Sequence, residues 1–185
     1  MNWRKIWEFL QIVIICLVII LPIRWFIIQP FYVKGASMEP TFHDHEYLVI
    51  NKIGYRTGDP QRGDIVVFRY PEDPQEYFIK RVIGLPGEKI EIKNNGVYIY
   101  NSTHLDGFKL DESSYLAESV MTYDPEGKIT TLRDNEYFML GDNRTASKDS
   151  RAFGAVNRSF FTGRVWLRGW PFKVATVFDR INYHE

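Results

Sequence analysis

The longest apolar segment of the chain lies at its N-terminal end and constrains the fold more than any other feature. Residues 9–23 carry no charged side chain, and the apolar character resumes after Arg24. These 15 residues fit the hydrophobic region of a cleaved signal peptide as well as part of a membrane span, which takes about 20 residues. The length of the segment alone leaves both interpretations open.

The flanks of this segment favour a retained membrane anchor. Residues 6–28 would form a helix about 35 Å long at ~1.5 Å per residue. Trp3 and Trp7 precede the apolar run and Trp25 follows it, as expected for aromatic side chains at the two membrane interfaces. A cleavable segment would instead be followed by small residues, but large side chains follow here. We therefore expect a transmembrane helix.

Basic residues before the span predict its orientation. Arg4 and Lys5 lie at the N-terminal end of the apolar segment, and the positive-inside rule keeps such a short tail in the cytoplasm. Residues 1–30 are accordingly predicted to form the cytoplasmic tail and the anchor. Residues 31–185 are predicted to form an extracytoplasmic domain.

The composition excludes several functional classes. The chain has 185 residues, with 23 Lys plus Arg against 23 Asp plus Glu, so we expect no nucleic-acid partner. Its only cysteine, Cys16, lies in the apolar segment. An intrachain disulfide is therefore impossible, and the rest of the chain has no thiol nucleophile or Cys-based metal site. We expect neither a metal ion nor another cofactor.

The remainder of the chain is predicted to be mainly β. Pro30 is expected to end the N-terminal helix, and after it come short segments rich in β-branched and aromatic residues. Asn95 and Gly96 separate two of these segments, which is a strong signal for a hairpin. Residues 102–134 are more polar and are predicted to form an inserted cap. The predicted strands are residues 47–51, 64–70, 77–83, 89–93, 97–101, 137–140 and 164–167.

Ser37 is the first candidate for chemistry. It lies among small and turn-forming residues in segment 35–41, where a substrate backbone could approach closely. A serine in such a place is commonly only a turn residue. Its position near the predicted anchor limits its distance from the end of the span to about 30 Å, at roughly 3.3 Å per residue.

A serine nucleophile requires a base, and Lys80 is a better candidate than the histidines. Alternation in segment 77–83 places Lys80 between Phe78 and Val82 on one strand face. An apolar environment lowers the pKa of an amine, although a lysine on an edge strand could equally extend into solvent. His43 and His45 flank Asp44 in a polar segment, which is more typical of a solvated loop than of a triad or a metal site.

These residues belong to four blocks through which the chain resembles the type I signal peptidases, membrane-anchored Ser/Lys peptidases that remove signal peptides. The blocks occur in family order after an N-terminal anchor. They are SMEPT at residues 37–41, RGDIVVF at 62–68, KRVIGLPGE at 80–88 and GDNRTASKDSR at 141–151. With the anchor, the resemblance covers most of the chain.

The resemblance implies roles for five residues. Ser37 would be the nucleophile and Lys80 its general base, and Ser147 would hydrogen-bond the lysine amine. Asp149 and Arg151 would support this arrangement.

The family fold implied here is an antiparallel β body with a catalytic groove. An extended part of the signal peptide could add to it as a strand, and Met38 and Val33 are predicted to line the substrate cleft. The family's substrates carry small residues at the −1 and −3 positions. Some members use a serine two residues before the nucleophile as an oxyanion donor, but this chain has Gly35 there, so its second donor stays unassigned.

The predicted function is thus cleavage of exported precursors at the outer face of a bacterial cell membrane. The expected partners are the signal peptides of these precursors and the lipid bilayer. One alternative is a self-cleaving regulator with a Ser/Lys dyad, but such a protein needs a DNA-binding domain where this chain has its apolar segment. The other alternative is a membrane-tethered β module that binds extended peptides without cleaving them.

Overall fold

The computed structural model describes residues 3–22, 28–181 and 183, without the side chains of residues 22, 28, 56 and 57. Its first element is helix α1 (Trp3–Pro22), whose apolar side chains are largely exposed, among them Phe9, Ile12 and Ile19. No helix within these described residues is long and apolar enough to qualify as a membrane span. Residues 23–27, which include the predicted interfacial Trp25, lie outside the described residues.

Strands dominate the described chain after α1. In chain order the elements are β1 (Ile28–Tyr32), β2 (Tyr47–Asn51), α2 (Gly54–Thr57), β3 (Ile65–Tyr70), β4 (Asp73–Gly84), β5 (Lys89–Lys93), β6 (Gly96–Tyr100), β7 (Phe108–Lys109), β8 (Thr130–Thr131), β9 (Glu136–Leu140), α3 (Ser150–Phe153), β10 (Val156–Asn157), β11 (Phe161–Trp170) and β12 (Thr176–Val177).

The strands form two antiparallel sheets, which confirms the mainly β, antiparallel class. The larger sheet has the order β1-β2-β11-β3-β4-β9-β10, with β12 paired to β11, and the smaller has the order β7-β6-β5-β8. The hairpin between β5 and β6 is also confirmed. Asn94 and Asn95 both have positive φ in its turn, which is the backbone conformation that a two-residue hairpin loop requires.

Pro30 lies inside a strand and does not end the first helix. The helix ends at Pro22, and β1 begins at Ile28, three residues before the predicted start of the β-rich part. Within the described residues β1 pairs only with β2, so it is an edge strand. A proline is tolerated there because an edge strand has one side without ladder hydrogen bonds.

The larger sheet is buried on both faces around the strands that carry the site. Val66 and Phe68 of β3 belong to one apolar cluster, whereas Ile65 and Val67 belong to another. The continuous apolar pattern of this strand follows from that position, because alternate residues enter different cores. A third cluster, which includes Ile83, Ile90 and Leu140, fills the space between the two sheets.

The predicted cap, residues 102–134, packs against both sheets. It contributes β7 and β8 to the smaller sheet. Glu112 forms an ion pair with the buried Arg144 at 2.5 Å, and Tyr115 stacks against the guanidinium of Arg81 at 3.8 Å. The segment therefore provides one carboxylate and one aromatic ring as partners for two buried arginines.

Candidate active site

The loop between β1 and β2, residues 33–46, carries Ser37, and we call it the Ser37 loop. Hydrogen bonds between Val33 and residues 45 and 46 close it at its base. Gly35 adopts a positive φ of 85°, a conformation that glycine tolerates best, and its N–H donates to Asp44 at 2.9 Å. The side chains of Met38 and Phe42 are buried in an apolar cluster. These contacts hold the chain on either side of Ser37.

Lys80 of β4 approaches Ser37 closely. Its Nζ donates to Ser37 Oγ at 2.8 Å and to the carbonyl oxygen of Ile79 at 3.0 Å. The side chain is only 3% exposed, and Nζ lies 5.2 Å from the centre of the Phe78 ring. The structure thus brings together the two residues that sequence reasoning selected from separate motifs.

Burial changes the acid–base behaviour of Lys80. Removal of the ammonium from water lowers the pKa of Lys80 from 10.5 to about 8, although the carboxylates of Asp149 and Asp142 partly oppose this shift. An amine with such a pKa is neutral often enough near physiological pH to accept a proton from a neighbouring hydroxyl. The pair can therefore perform nucleophilic chemistry.

The histidines of the Ser37 loop lie away from this pair. His43 and His45 have largely exposed side chains, and they contact Glu46 and Asp44 within their own loop. Among the residues that the structure describes, no group of three or more His, Cys, Asp or Glu side chains is arranged to hold a metal ion. The ring of His45 also packs edge-on against that of Tyr32, with centres 5.6 Å apart.

Ser147 does not make the predicted hydrogen bond to Lys80. Its Oγ is buried and has no hydrogen-bond partner among the described residues, because the Lys80 amine is directed to Ser37 and Ile79. The hydroxyl is nevertheless close to the pair. A methyl group on Gly141 would overlap both Ser147 Oγ and the carbonyl oxygen of Ser37, so Ser147 lies beside the Ser37 backbone.

Asp149 and Arg151 form a bidentate ion pair, with two bonds of 2.8 Å. Asp149 is fully buried and also accepts hydrogen bonds from the N–H groups of Arg151 and Gly141. Its carboxylate therefore caps α3 and holds the chain at Gly141, next to Ser37. These contacts connect α3 to the segment at Gly141.

A second buried ion pair, which sequence reasoning did not single out, joins β4 to the Ser37 loop. Arg81 donates to both carboxylate oxygens of Asp142, at 2.9 and 2.6 Å. Asp142 also accepts from Thr41 Oγ1 at 2.5 Å. All three residues lie in the motif blocks, and Arg81 directly follows Lys80. Their place in these blocks is the signal that could have revealed them.

Asn143 provides a further connection to the Ser37 loop. Its backbone N–H donates to the carbonyl oxygen of Ser37, and its side-chain amide donates to that of Ala36, both at 3.1 Å. No acceptor within the described residues takes the backbone N–H of Ser37 itself. That N–H remains available to an anionic oxygen formed at the nucleophile.

A groove of about 590 Å³ opens at the pair. One wall is β1 with the start of the Ser37 loop, and the other is the segment of β4 before residue 81, which pairs with β3 but not with β9. Both walls thus present unpaired strand edges, and the rings of Phe31 and Tyr77 lie 5.2 Å apart. The predicted cleft residues line this groove together with others: Phe31, Tyr32, Val33, Lys34, Ser37, Met38, Glu76, Tyr77, Phe78, Ile79, Lys80 and Lys148.

Comparison with known proteins identifies the family of the chain. The model of the family "Signal peptidase, peptidase S26" matches residues 6–170. Signal peptidase IB of Staphylococcus aureus is 34% identical in an alignment of 180 residues that covers 91% of this chain and 92% of that protein. A probable signal peptidase I-2 of Synechocystis is 39% identical in an alignment of 155 residues that covers 80% of this chain and 66% of that protein.

A solved structure is also similar. A signal peptidase I from Enterococcus faecalis has a TM-score of 0.46 and 32% identity, and the match covers 58% of this chain and 97% of that one. The family assignment depends on the sequence matches, which extend over most of the chain and include all four motif blocks. The chain therefore belongs to the signal peptidase family, peptidase S26.

Proposed function

We propose that this protein removes signal peptides from exported precursors with Ser37 as the nucleophile and Lys80 as the general base. Membership of the family accounts for the activity, that of a serine endopeptidase. The observation that supports the assignment of the dyad is the 2.8 Å approach of Nζ of a buried lysine to Ser37 Oγ.

The proposed reaction proceeds through an acyl-enzyme. Neutral Lys80 accepts the hydroxyl proton while Ser37 Oγ attacks the scissile carbonyl carbon. The backbone N–H of Ser37 donates to the resulting oxyanion. Lys80 then gives its proton to the leaving amine of the mature protein, and the C–N bond breaks. Water then attacks the ester while Lys80 accepts one of its protons. The bond between the acyl carbon and Ser37 Oγ breaks, Lys80 returns the proton to Oγ, and the signal peptide leaves as a carboxylic acid that ionises in water.

The groove is the proposed binding site for the end of the signal peptide. An extended segment placed between β1 and the free edge of β4 could hydrogen-bond to both strands, as in other cases of strand addition. Val33 and Met38 would contact its small side chains before the cleaved bond. Asp149 and Arg151 would hold segment 141–151 in place, and Ser147 would provide a polar neighbour for the dyad.

We also propose that residues 1–30 are a cytoplasmic tail and a membrane anchor, with residues 31–185 on the outer side of a bacterial cell membrane. The exposed apolar side chains of α1 support this, since they have no protein core to enter. Arg4 and Lys5 before the apolar segment support the orientation. The lipid bilayer is then the second partner of the protein, besides its substrates.

The test is cleavage of a precursor by the purified full chain in detergent. We expect cleavage by the wild type and none by Ser37→Ala or Lys80→Ala. Ser102→Ala and Lys128→Ala remove the same groups at exposed positions and should cleave as the wild type does. Retained cleavage by Ser37→Ala or Lys80→Ala would exclude the dyad. If wild type and Ser37→Ala both bind the peptide and neither cleaves it, the protein is instead a peptide-binding module.

A further inference from the structure

The end of the chain contacts the Ser37 loop, although the family match stops at residue 170. After β11 the chain turns back, and β12 pairs with it through Val177 opposite Leu167 and Thr176 opposite Arg168. The N–H of Phe178 then donates to the carbonyl oxygen of Trp166 at 2.8 Å. These bonds fix the position of Phe178 relative to the larger sheet.

Phe178 packs edge-on against Phe42 of the Ser37 loop. The ring centres are 4.8 Å apart and the planes are inclined at 64°, which is a favourable geometry for an aromatic pair. Phe42 is completely buried, and its N–H donates to the carbonyl oxygen of Met38 at 2.9 Å. A short path of contacts therefore leads from Phe178 to the residue that follows Ser37.

Arg168 reinforces this contact. Its guanidinium donates to the carbonyl oxygen of Thr41 at 3.0 Å and to that of Val174 at 2.8 Å, so one side chain joins the Ser37 loop to the C-terminal segment. It also lies 5.9 Å from the Phe42 ring centre and 5.7 Å from that of Phe178. The guanidinium of Arg168 thus lies beside both aromatic rings and is hydrogen-bonded to the backbone of the Ser37 loop and to that of the C-terminal segment.

We propose that the C-terminal segment, residues 171–181, positions the nucleophile, with Phe178 as its principal positioning residue. This inference depends on the proposed function, because it concerns the alignment of Ser37 with Lys80. A displacement of about 1 Å in such an arrangement typically reduces the rate by about a hundredfold. Phe178 is not among the residues that line the groove, so its loss should affect kcat and leave substrate binding largely intact.

The test compares Phe178→Ala with Phe178→Leu and with Val177→Ala, a neighbouring side chain that is 51% exposed. Phe178→Ala should lower kcat at least about tenfold and change KM less than about twofold. The backbone N–H of Phe42 should exchange with deuterium at least about tenfold faster, because its bond to Met38 loses support. Phe178→Leu should have a kcat and a Phe42 exchange rate close to those of the wild type, and Val177→Ala should match the wild type in both.

Several results would overturn the proposal. These are an unchanged kcat in Phe178→Ala, an equal loss in Val177→Ala, and faster exchange throughout the domain instead of at the Ser37 loop. An inactive wild type would refute the proposed function. The exchange rate at Phe42 would still decide whether Phe178 orders the Ser37 loop, since that measurement needs no substrate.

Discussion

Raising the pH from 7 to 9 should increase kcat/KM for precursor cleavage roughly tenfold, after which the rate should level off. Lys80 must be neutral to accept the proton of Ser37, and burial lowers its pKa to about 8. The fraction of neutral amine is then roughly 9% at pH 7 and roughly 90% at pH 9. The profile should therefore have its midpoint near pH 8.

The expected curve differs clearly from that of an ordinary lysine. With a pKa of 10.5, roughly 0.03% of the amine would be neutral at pH 7, and the rate would rise roughly a hundredfold by pH 9 and continue to rise beyond pH 10. At pH 7 the neutral fraction of Lys80 is therefore roughly 300 times larger than that of a lysine with a pKa of 10.5. This factor follows from the low exposure of the side chain, because burial is the largest contribution to the shift.

The assay is kcat/KM measured between pH 6 and pH 10 with the full chain in detergent, since this ratio reports ionisations of the free enzyme. Lys128→Ala removes an exposed lysine and should leave the midpoint unchanged. A midpoint above pH 10, or a rate independent of pH, would refute the assignment of Lys80 as the base.

Three further predictions concern stability and geometry. The unfolded chain holds the Lys80 proton more tightly than the folded one, so stability should rise as the pH increases from about 8 to 10.5. Lys80→Met removes the cost of burying the Lys80 ammonium, so it should raise the free energy of unfolding in urea at pH 7 by up to about 3 kcal/mol, while abolishing cleavage. An unchanged or lower free energy of unfolding would contradict the claim that burial disfavours the charged form of Lys80. Gly141→Ala should lower the free energy of unfolding by about 1 to 3 kcal/mol and also lower kcat, because its methyl group overlaps Ser147 and the Ser37 carbonyl. Wild-type values in urea unfolding and in the cleavage assay would disprove the close approach of Gly141 to these groups. Asp142→Ala leaves the buried Arg81 without its partner and should destabilise the fold by about 3 to 5 kcal/mol, whereas a change below about 1 kcal/mol in urea would show that the pair is not essential.

Local patterns in the sequence were sufficient for the fold class and for several elements. The hairpin between β5 and β6 was predicted correctly because its turn depends on local conformation. The turn itself lies one residue earlier than predicted, at Asn94 and Asn95, and Gly96 already belongs to β6. The alternation around Lys80 correctly predicted that it shares a face with Phe78 and Val82, which pack in one cluster. The prediction for Pro30 was wrong because a proline is compatible both with the end of a helix and with an edge strand.

The candidate residues Ser37 and Lys80 came from motifs, but their approach depends on sheet register, since they are 43 positions apart. The same holds for the contact of Asp142 with Arg81 across 61 positions and with Thr41 across 101. The absence of a Ser147 bond to Lys80 could not be foreseen either, because it depends on the direction in which the buried amine points.

The amino-acid sequence by itself determined the family, the mainly β class and the identity of the nucleophile and base candidates, since each depends on residue types at short and regular spacings. Only the tertiary structure decided how deeply Lys80 is buried, which ion pairs hold the Ser37 loop, and that Phe178 packs on Phe42. These properties arise from side chains that are distant in sequence and adjacent in space. Burial and close packing, which set the pKa of Lys80 and the position of Ser37, exist only once the sheets have assembled.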